Sequence, residues 1–285
     1  MRNGKNMLEL PVIRELVSRC LIEDLGRGDT TTDACVSPEA EGRALMAARE
    51  DLVFCGGALV REVFAQLDPR VQVEQLCREG ERLTAGKAAV LLTGPAQSLL
   101  KGERLALNFV QRMSGVATLT RSFVDALTPG SGTRITDTRK TTPGLRIVER
   151  YAVRCGGGHS HRSDLGAAVL IKDNHVAAAG GITAAVTRSR AVATHATRIT
   201  CEVDTLEQLR EAIEVGVDIV ILDNFTDEQI ATAVEFTDGR AVIEVSGSVS
   251  RERIKAISAL GVDIVSIGAL THSARAVDLG LDWTA

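Results

Sequence analysis

The chain has 285 residues, 45% of them apolar and only 3% aromatic, and a formal net charge of −4. That length suits an α/β barrel with an appended piece. Sparse aromatics argue against base stacking on nucleic acid. The negative balance excludes a global basic field for DNA or an acidic membrane, so any anion site must be local. The six cysteines form no CxxC pair, and no histidine pair has zinc-finger spacing. The expectation is therefore small buried hydrophobes in a reducing cytosol, not a structural metal. The N-terminus shows no signal-peptide apolar region, and no apolar run reaches the ~18 residues of a bilayer span. A soluble cytoplasmic protein is expected.

Taken in chain order, residues 9–25 have helical apolar spacing. Short strand-like runs follow at 42–48, 71–77 and 88–93, broken by Gly and Pro. A long amphipathic helix is predicted from near Gly102, because Leu105, Phe109, Met113, Val116, Phe123 and Leu127 recur at steps that share one helix face. From residue 133 β-branched runs alternate with helical segments: 134–138, 167–173, 198–204, 218–224, 241–247 and 263–268. The last four begin ~20–23 residues apart, the length of one βα unit. Thr205 with Gln208 and Thr226 with Gln229 have capping-box spacing. "GVDIV" occurs at 216–220 and again at 261–265, with Gly216 and Gly261 placed to end helices in the left-handed conformation. Six strands are legible and eight are not. The fold class is α/β: a parallel barrel, not required to be complete, behind a smaller N-terminal α+β domain. The predicted division is residues 1–108, a barrel at 109–272, and a segment at 273–285 that can pack back on the N-terminal domain.

Polar residues gather where the barrel strands end. Thr138, Arg139 and Lys140 follow the first strand; Lys172, Asp173, Asn174 and His175 follow the second. Glu202 and Asp204 close the third, Asp223 and Asn224 the fourth, Glu244, Ser246 and Gly247 the fifth, and Gly268 the sixth. That rim is where such barrels hold their active sites. Helix caps and solvated loop charges would explain any one of these residues. They do not explain six strands in succession, with Lys172 and Glu202 set inside apolar runs where an unpaired charge is costly. The rim also divides by charge. Cations come first (Arg139, Lys140, Lys172, with His161 and Arg162 from "GGGHSHR"), then the carboxylates Glu202 and Asp223. Last come the small residues Ser246, Gly247 and Ser248 and Ile267, Gly268 and Ala269, whose backbone N–H groups can approach a phosphate. The pattern fits a polyanion, then hydroxyls or a metal ion, then a phosphomonoester.

Several blocks resemble the quinolinate phosphoribosyltransferase family: "DTRKTTPGLR" (137–146), "YAVRCGGG" (151–158), "HR" (161–162), "LIKDNHV" (170–176), "GERLALNFVQRMSGVAT" (102–118), "ILDNF" (221–225), "EVSGS" (244–248) and "IGALTHS" (267–273). "EDLGRGDTTT" (23–32) is similar to the family's N-terminal segment. The resemblance implies an open, seven-stranded barrel, a flanking N-terminal domain and a homodimer with shared sites. It also implies transfer of a phosphoribosyl group from 5-phosphoribosyl 1-diphosphate to quinolinate with loss of CO2, in NAD biosynthesis. By matched position, pyridine-dicarboxylate contacts fall on Arg139, Lys140, His161, Arg162 and Lys172, with Arg104 reaching in from a neighbouring subunit. Glu202 and Asp223 match the ribose and Mg2+ side. Ser246, Gly247, Ser248 and Gly268 match the 5′-phosphate grip. Ser160 stands where the family usually has Asn, which puts the fine geometry of that loop in question. A sister family from molybdenum-transport operons shares "TRKT" but is expected to lack "IKDNH". An aldolase-type Schiff base at Lys172 and a single-carboxylate nicotinate enzyme fit the arginine cluster less well, and a non-catalytic phosphoribosyl diphosphate sensor would not need every matched catalytic position to be occupied. The implied chemistry needs no nucleophilic side chain. Lys140 or Lys172 would deliver the final proton, and the sequence does not choose between them.

Overall fold

The structure, a computed structural model, describes residue 8 and residues 10–284. The expected absence of a leader rests mainly on residues 1–7, outside the described residues. No helix among the described residues is long and apolar enough to cross a membrane. In chain order the first elements are α1 (Leu10–Leu25), α2 (Thr30–Cys35), β1 (Glu41–Ala48), β2 (Leu52–Val53), α3 (Gly57–Leu67), β3 (Gln72–Gln75), β4 (Arg82–Leu83), β5 (Ala88–Pro95) and α4 (Ala96–Val124). There follow β6 (Arg134–Thr136), α5 (Arg146–Cys155), β7 (Val169–Ile171), α6 (Asp173–Ala179), α7 (Ile182–Val192), β8 (Ile199–Val203) and α8 (Leu206–Glu214). The last are β9 (Ile219–Asp223), α9 (Asp227–Thr237), β10 (Val242–Ser246), α10 (Arg251–Ala259), β11 (Ile264–Ser266), α11 (Ala269–His272) and β12 (Leu279–Trp283).

The chain forms two compact units. One comprises Met1–Arg121, Thr142–Gly157 and Ser273–Ala285; the other comprises Ser122–Thr141 and Gly158–His272. A boundary after residue 108 would cut α4, one continuous helix that begins at Ala96, directly after Pro95, rather than near Gly102. Its predicted stripe is buried from Leu105 to Phe123. Leu127 lies beyond the helix end and is half-exposed.

In the first unit a four-stranded antiparallel sheet runs β12-β1-β5-β3. The C-terminal strand therefore completes an N-terminal sheet, with Leu279 opposite Ala48 and Trp283 opposite Ala44. Gly115 permits the approach of the preceding segment, since a Cβ there would lie 1.9 Å from the Arg275 carbonyl oxygen. Glu149 on α5 is fully buried. It accepts hydrogen bonds from Arg112 Nη2 (2.7 Å), Thr142 Oγ1 (2.7 Å) and the Thr142 N–H (3.0 Å), so the buried charge is paired and the 142–157 stretch is tied to α4.

The cysteine expectation holds in part. Cys55, Cys77, Cys155 and Cys201 are buried, but Cys35 is exposed and Cys20 partly so. The fold also brings Cys55, Glu79 and Cys155 together, their ligand-type atoms within 4.8 Å of one another. Both Glu79 oxygens accept from backbone N–H groups at the start of α3, Gly56 at 3.0 Å and Gly57 at 2.8 Å. Capping thus accounts for this carboxylate.

The second unit carries a six-stranded parallel sheet in the order β6-β11-β10-β9-β8-β7. A single parallel bridge pairs Thr136 with His159 on the far side of β6. One face of every strand is apolar: Ile135, Ile171, Cys201, Val203, Val220, Leu222, Ile243, Val245 and Val265 are all buried. The buried sides of α8, α9 and α10 (Leu209, Ile213, Ile230, Ala233, Ile254, Ile257) supply further apolar core. The run at 167–173 gives a strand of only three residues, because α6 begins at Asp173. Thr226 and Gln229 form the predicted capping box. At α8 the box is altered: Thr205 caps the Gln208 N–H, while the Gln208 side chain accepts from Asp204 N. Gly216 and Gly261 adopt φ of +81° and +85° after α8 and α10.

Candidate active site

The parallel register decides which side chains share a face. Glu202 stands opposite Ile221, Ile221 opposite Glu244, and Glu244 opposite Ile264. Two residues further on, Asp223 stands opposite Ser246, and Ser266 opposite Thr136. Side chains alternate along a strand. Glu202, Asp223, Glu244, Ser246, Ser266 and Thr136 therefore all lie on the face opposite the apolar one. A cleft of about 660 Å³ opens there. Thr138 beyond β6 and Leu170 of β7 both line it, although those strands stand at opposite ends of the sheet order.

The cationic sector is Arg139, Lys140, His161, Arg162 and Lys172, all lining the cleft. Its main chain is fixed by local bonds. Lys140 N donates to Thr138 Oγ1 (3.1 Å), and the Lys140 carbonyl accepts from Thr271 Oγ1 (2.8 Å). The His161 N–H donates to Asp137 Oδ1 at 2.8 Å, the Arg162 N–H to His161 Nδ1 at 2.7 Å, and Arg162 Nη1 to the Ala168 carbonyl at 3.1 Å. Burial, and then the neighbouring Arg139 charge, push the Arg162 guanidinium below its ordinary value. A dianionic ligand would relieve that repulsion.

The carboxylate sector is Glu202 and Asp223. Glu202 accepts a hydrogen bond from Lys172 Nζ. Asp223 accepts from Asn224 Nδ2 at 2.8 Å, and the Asn224 Oδ1 accepts from the Ser248 N–H at 3.3 Å. Asn224 itself is left-handed, with φ of 57°. It links the end of β9 to the turn after β10, where Gly247 has φ of +110°. A Cβ on Gly247 would sit 2.3 Å from Asn224 Oδ1, so this turn requires glycine for both reasons. Gly268 is crowded as well: a Cβ there would meet Lys140 Cδ at 2.9 Å. Ser246, Gly247, Ser248, Ile267, Gly268 and Ala269 all line the cleft.

The fold thus gathers fourteen of the fifteen expected side chains and backbone positions into one cleft. Arg104 is the exception. It is exposed on α4, in the first unit, and does not line the cleft. Of the other polar lining residues, the sequence marks Asn224 and Glu244 only as strand-end groups with no assigned role, and it does not single out Ser266 and His272. Glu244 carried the same signal as Lys172 and Glu202, a charge inside an apolar run. A second concavity, about 750 Å³, is lined by residues of β7, α6 and α7 and by Leu165, Thr194 and neighbouring loop residues. Among the described residues no carboxylate lines it, and its strongly cationic groups are Arg162 and Arg188. Though larger, it lacks the convergent charges of the first cleft.

The parallel α/β sheet carries one cleft in which cations, carboxylates and glycine-containing turns are sorted into sectors, an anion-binding arrangement, and comparison with known proteins gives the family. Residues 29–114 match the family model for the quinolinate phosphoribosyl transferase N-terminal domain, and residues 116–282 match that for the C-terminal domain. The chain belongs to the quinolinate phosphoribosyltransferase family. It is 42% identical to a nicotinate-nucleotide pyrophosphorylase (carboxylating) of Mycobacterium leprae, over 96% of this chain and 98% of the relative. It is 40% identical to a probable nicotinate-nucleotide pyrophosphorylase (carboxylating) of Bacillus subtilis, over 95% and 93%. Among solved structures, the nicotinate-nucleotide pyrophosphorylase of Francisella tularensis superposes with a TM-score of 0.93 at 39% identity, covering 98% of each chain.

Proposed function

We propose that this protein transfers the phosphoribosyl group of 5-phosphoribosyl 1-diphosphate to quinolinate, giving nicotinate mononucleotide, CO2 and pyrophosphate. The observation that carries this reading is the sorting of one cleft into cations, carboxylates and glycine-containing turns. Guanidinium forks of Arg139 and Arg162 suit the two carboxylates of quinolinate. The turns at Ser246–Ser248 and Ile267–Ala269 suit the 5′-phosphate. The ring nitrogen attacks the anomeric carbon, and pyrophosphate leaves with the bonding pair. Glu202 and Asp223 stabilise the positive charge that develops on the ribose. The glycosylated ring nitrogen is positive. The C2 carboxylate therefore departs as CO2, leaving a carbanion stabilised by that charge. A proton from Lys140 or Lys172 completes the product.

Mg2+ fits the middle sector. Glu202 and Asp223 lie on neighbouring strands and offer hard oxygen donors, although Lys172 occupies one Glu202 oxygen. When bound, the ion would neutralise charge on the departing diphosphate. We further propose that the sheet is an open, seven-stranded barrel, with the His159 bridge as its rudimentary seventh strand. We also propose that the protein works as a homodimer in which Arg104 serves the partner's cleft, and that it acts in the cytoplasm.

The test is incubation with quinolinate, phosphoribosyl diphosphate and Mg2+, with mass detection of the mononucleotide and measurement of CO2. Stoichiometric CO2 and pyrophosphate are expected. Equal use of nicotinate without CO2 release would overturn the reading.

A further inference from the structure

Glu244 is the carboxylate in the cleft that the proposed chemistry leaves unused. It sits on β10 at 3% exposure, deeper than Glu202, and its Oε1 is buried with no hydrogen-bond partner among the described residues. An unpaired carboxylate in such a place is costly unless something holds it. His161 Nε2 lies 3.5 Å from that oxygen.

The state of the imidazole follows from its other nitrogen. His161 Nδ1 accepts the Arg162 N–H at 2.7 Å, so Nδ1 carries a lone pair and the ring proton sits on Nε2, facing Glu244. A proton on Nδ1 would meet the Arg162 N–H head-on. Two hydrogen bonds hold His161, its own N–H to Asp137 and the next peptide to Nδ1, and Nε2 faces Glu244 Oε1 at 3.5 Å. The same peptide belongs to Arg162, whose guanidinium lines the cationic sector. The chain of contacts runs from the Glu244 carboxylate through the imidazole to the backbone of Arg162.

We propose that Glu244 is a positioning residue: it faces the Nε2–H that the Arg162 peptide imposes, holds the orientation of the His161 ring and, through that ring, sets the Arg162 segment that receives the aromatic diacid. The 3.5 Å separation is long for a hydrogen bond, as contacts of this type are before a ligand draws the site together. The inference rests on the proposed quinolinate reaction for its functional consequence, but its structural core does not need substrate.

The experiment has two arms. In the first, 15N-histidine spectra of the ligand-free protein, assigned with His161→Asn, report the Nε2–H proton of His161 and its exchange with solvent. The wild type should show one slowly exchanging Nε2–H signal. Glu244→Gln should keep it, because the amide oxygen still accepts. Glu244→Ala should lose that protection, and so should Glu244→Asp, which keeps the charge but withdraws the acceptor. In the second arm calorimetry measures quinolinate binding. Partners that orient metal-ligating side chains are worth about 10–100-fold when removed, and the same order is expected for a partner that orients a substrate-binding ring. Glu244→Ala should therefore weaken binding by about tenfold or more, and Glu244→Gln should recover most of the loss. In a His161→Ala background, Glu244→Ala should add almost nothing, the signature of two residues acting as one unit. An unchanged Nε2–H signal in Glu244→Ala and Glu244→Asp, or an equal loss with and without His161, overturns the proposal. Failure of the reaction assignment would show differently: no mononucleotide from the wild type, with the Nε2–H result intact.

Discussion

Lys172 Nζ donates a hydrogen bond to the Glu202 carboxylate across neighbouring parallel strands, one residue beyond the last paired rung, Ile171 opposite Cys201. The pair stands where the cationic and carboxylate sectors meet. Its side chains differ in burial, Lys172 being 44% exposed and Glu202 14%. Removing the carboxylate charge frees the ammonium for an anion while withdrawing a stabiliser of developing positive charge. Glu202→Gln should therefore lower turnover by about 10²–10³-fold, the usual size of one lost electrostatic contribution. Quinolinate binding should be unchanged or tighter. Single-turnover kinetics with calorimetry separates the two effects, and wild-type turnover would remove Glu202 from the mechanism.

Gly247 offers a test of the opposite end of the cleft. Its φ is +110°, and a Cβ there would stand 2.3 Å from Asn224 Oδ1, which leaves no space for alanine. Strain at such a position costs about 1–3 kcal/mol. Gly247→Ala should raise the KM for phosphoribosyl diphosphate several-fold and lower the melting temperature, with quinolinate affinity preserved. Loss of quinolinate affinity with normal phosphoribosyl diphosphate use would reverse the assignment of the two ends.

Arg104 tests the shared-site reading, because it is exposed on α4 and does not line the cleft of its own second unit. Arg104→Ala should cost quinolinate binding about 2–5 kcal/mol if it pairs with a desolvated carboxylate. Lys172→Ala should disable the cleft in which it stands. Mixing the two variants under subunit exchange should restore activity toward about a quarter of wild type, since half of randomly paired dimers carry one intact site of two. Absence of recovery after demonstrated exchange would place Arg104 in its own subunit's function.

Asp68 gives a pH prediction in the first unit. It accepts from Arg70 Nη2 (2.7 Å), Arg70 Nε (3.0 Å) and Ser98 Oγ (2.6 Å). The Arg70 guanidinium first, then Ser98, hold its carboxyl well below the usual carboxylate range. A depressed folded-state value means the unfolded chain binds the proton more readily. The stabilisation is therefore full above the unfolded value near ~3.9 and fades as pH falls toward the folded one. Because the Arg70 side chain is 71% exposed, solvent screening keeps the contribution modest, about 1–2 kcal/mol. Asp68→Asn should lose that amount in urea unfolding at neutral pH, and its gap from wild type should narrow below about pH 4. A gap that stays constant into acid would contradict the assignment.

What the sequence determined by itself was local. The βα alternation, the left-handed glycines at 216 and 261, the capping box at Thr226 and the polar strand ends depend on neighbours a few residues away, so composition and spacing reveal them. The matched motif blocks carried the family, and with it most of the cleft. Tertiary structure decided what depends on distant register. It joined Thr142–Gly157 and Ser273–Ala285 to the first unit, where the Glu149 carboxylate accepts from Arg112 and Thr142 and where β12 pairs with β1. It gathered Cys55, Glu79 and Cys155, which no spacing rule connects. It also set Glu244 against His161, far apart in the chain, since a buried carboxylate finds its partner through strand order and the position of the loop around His161, neither of which is written in the local sequence.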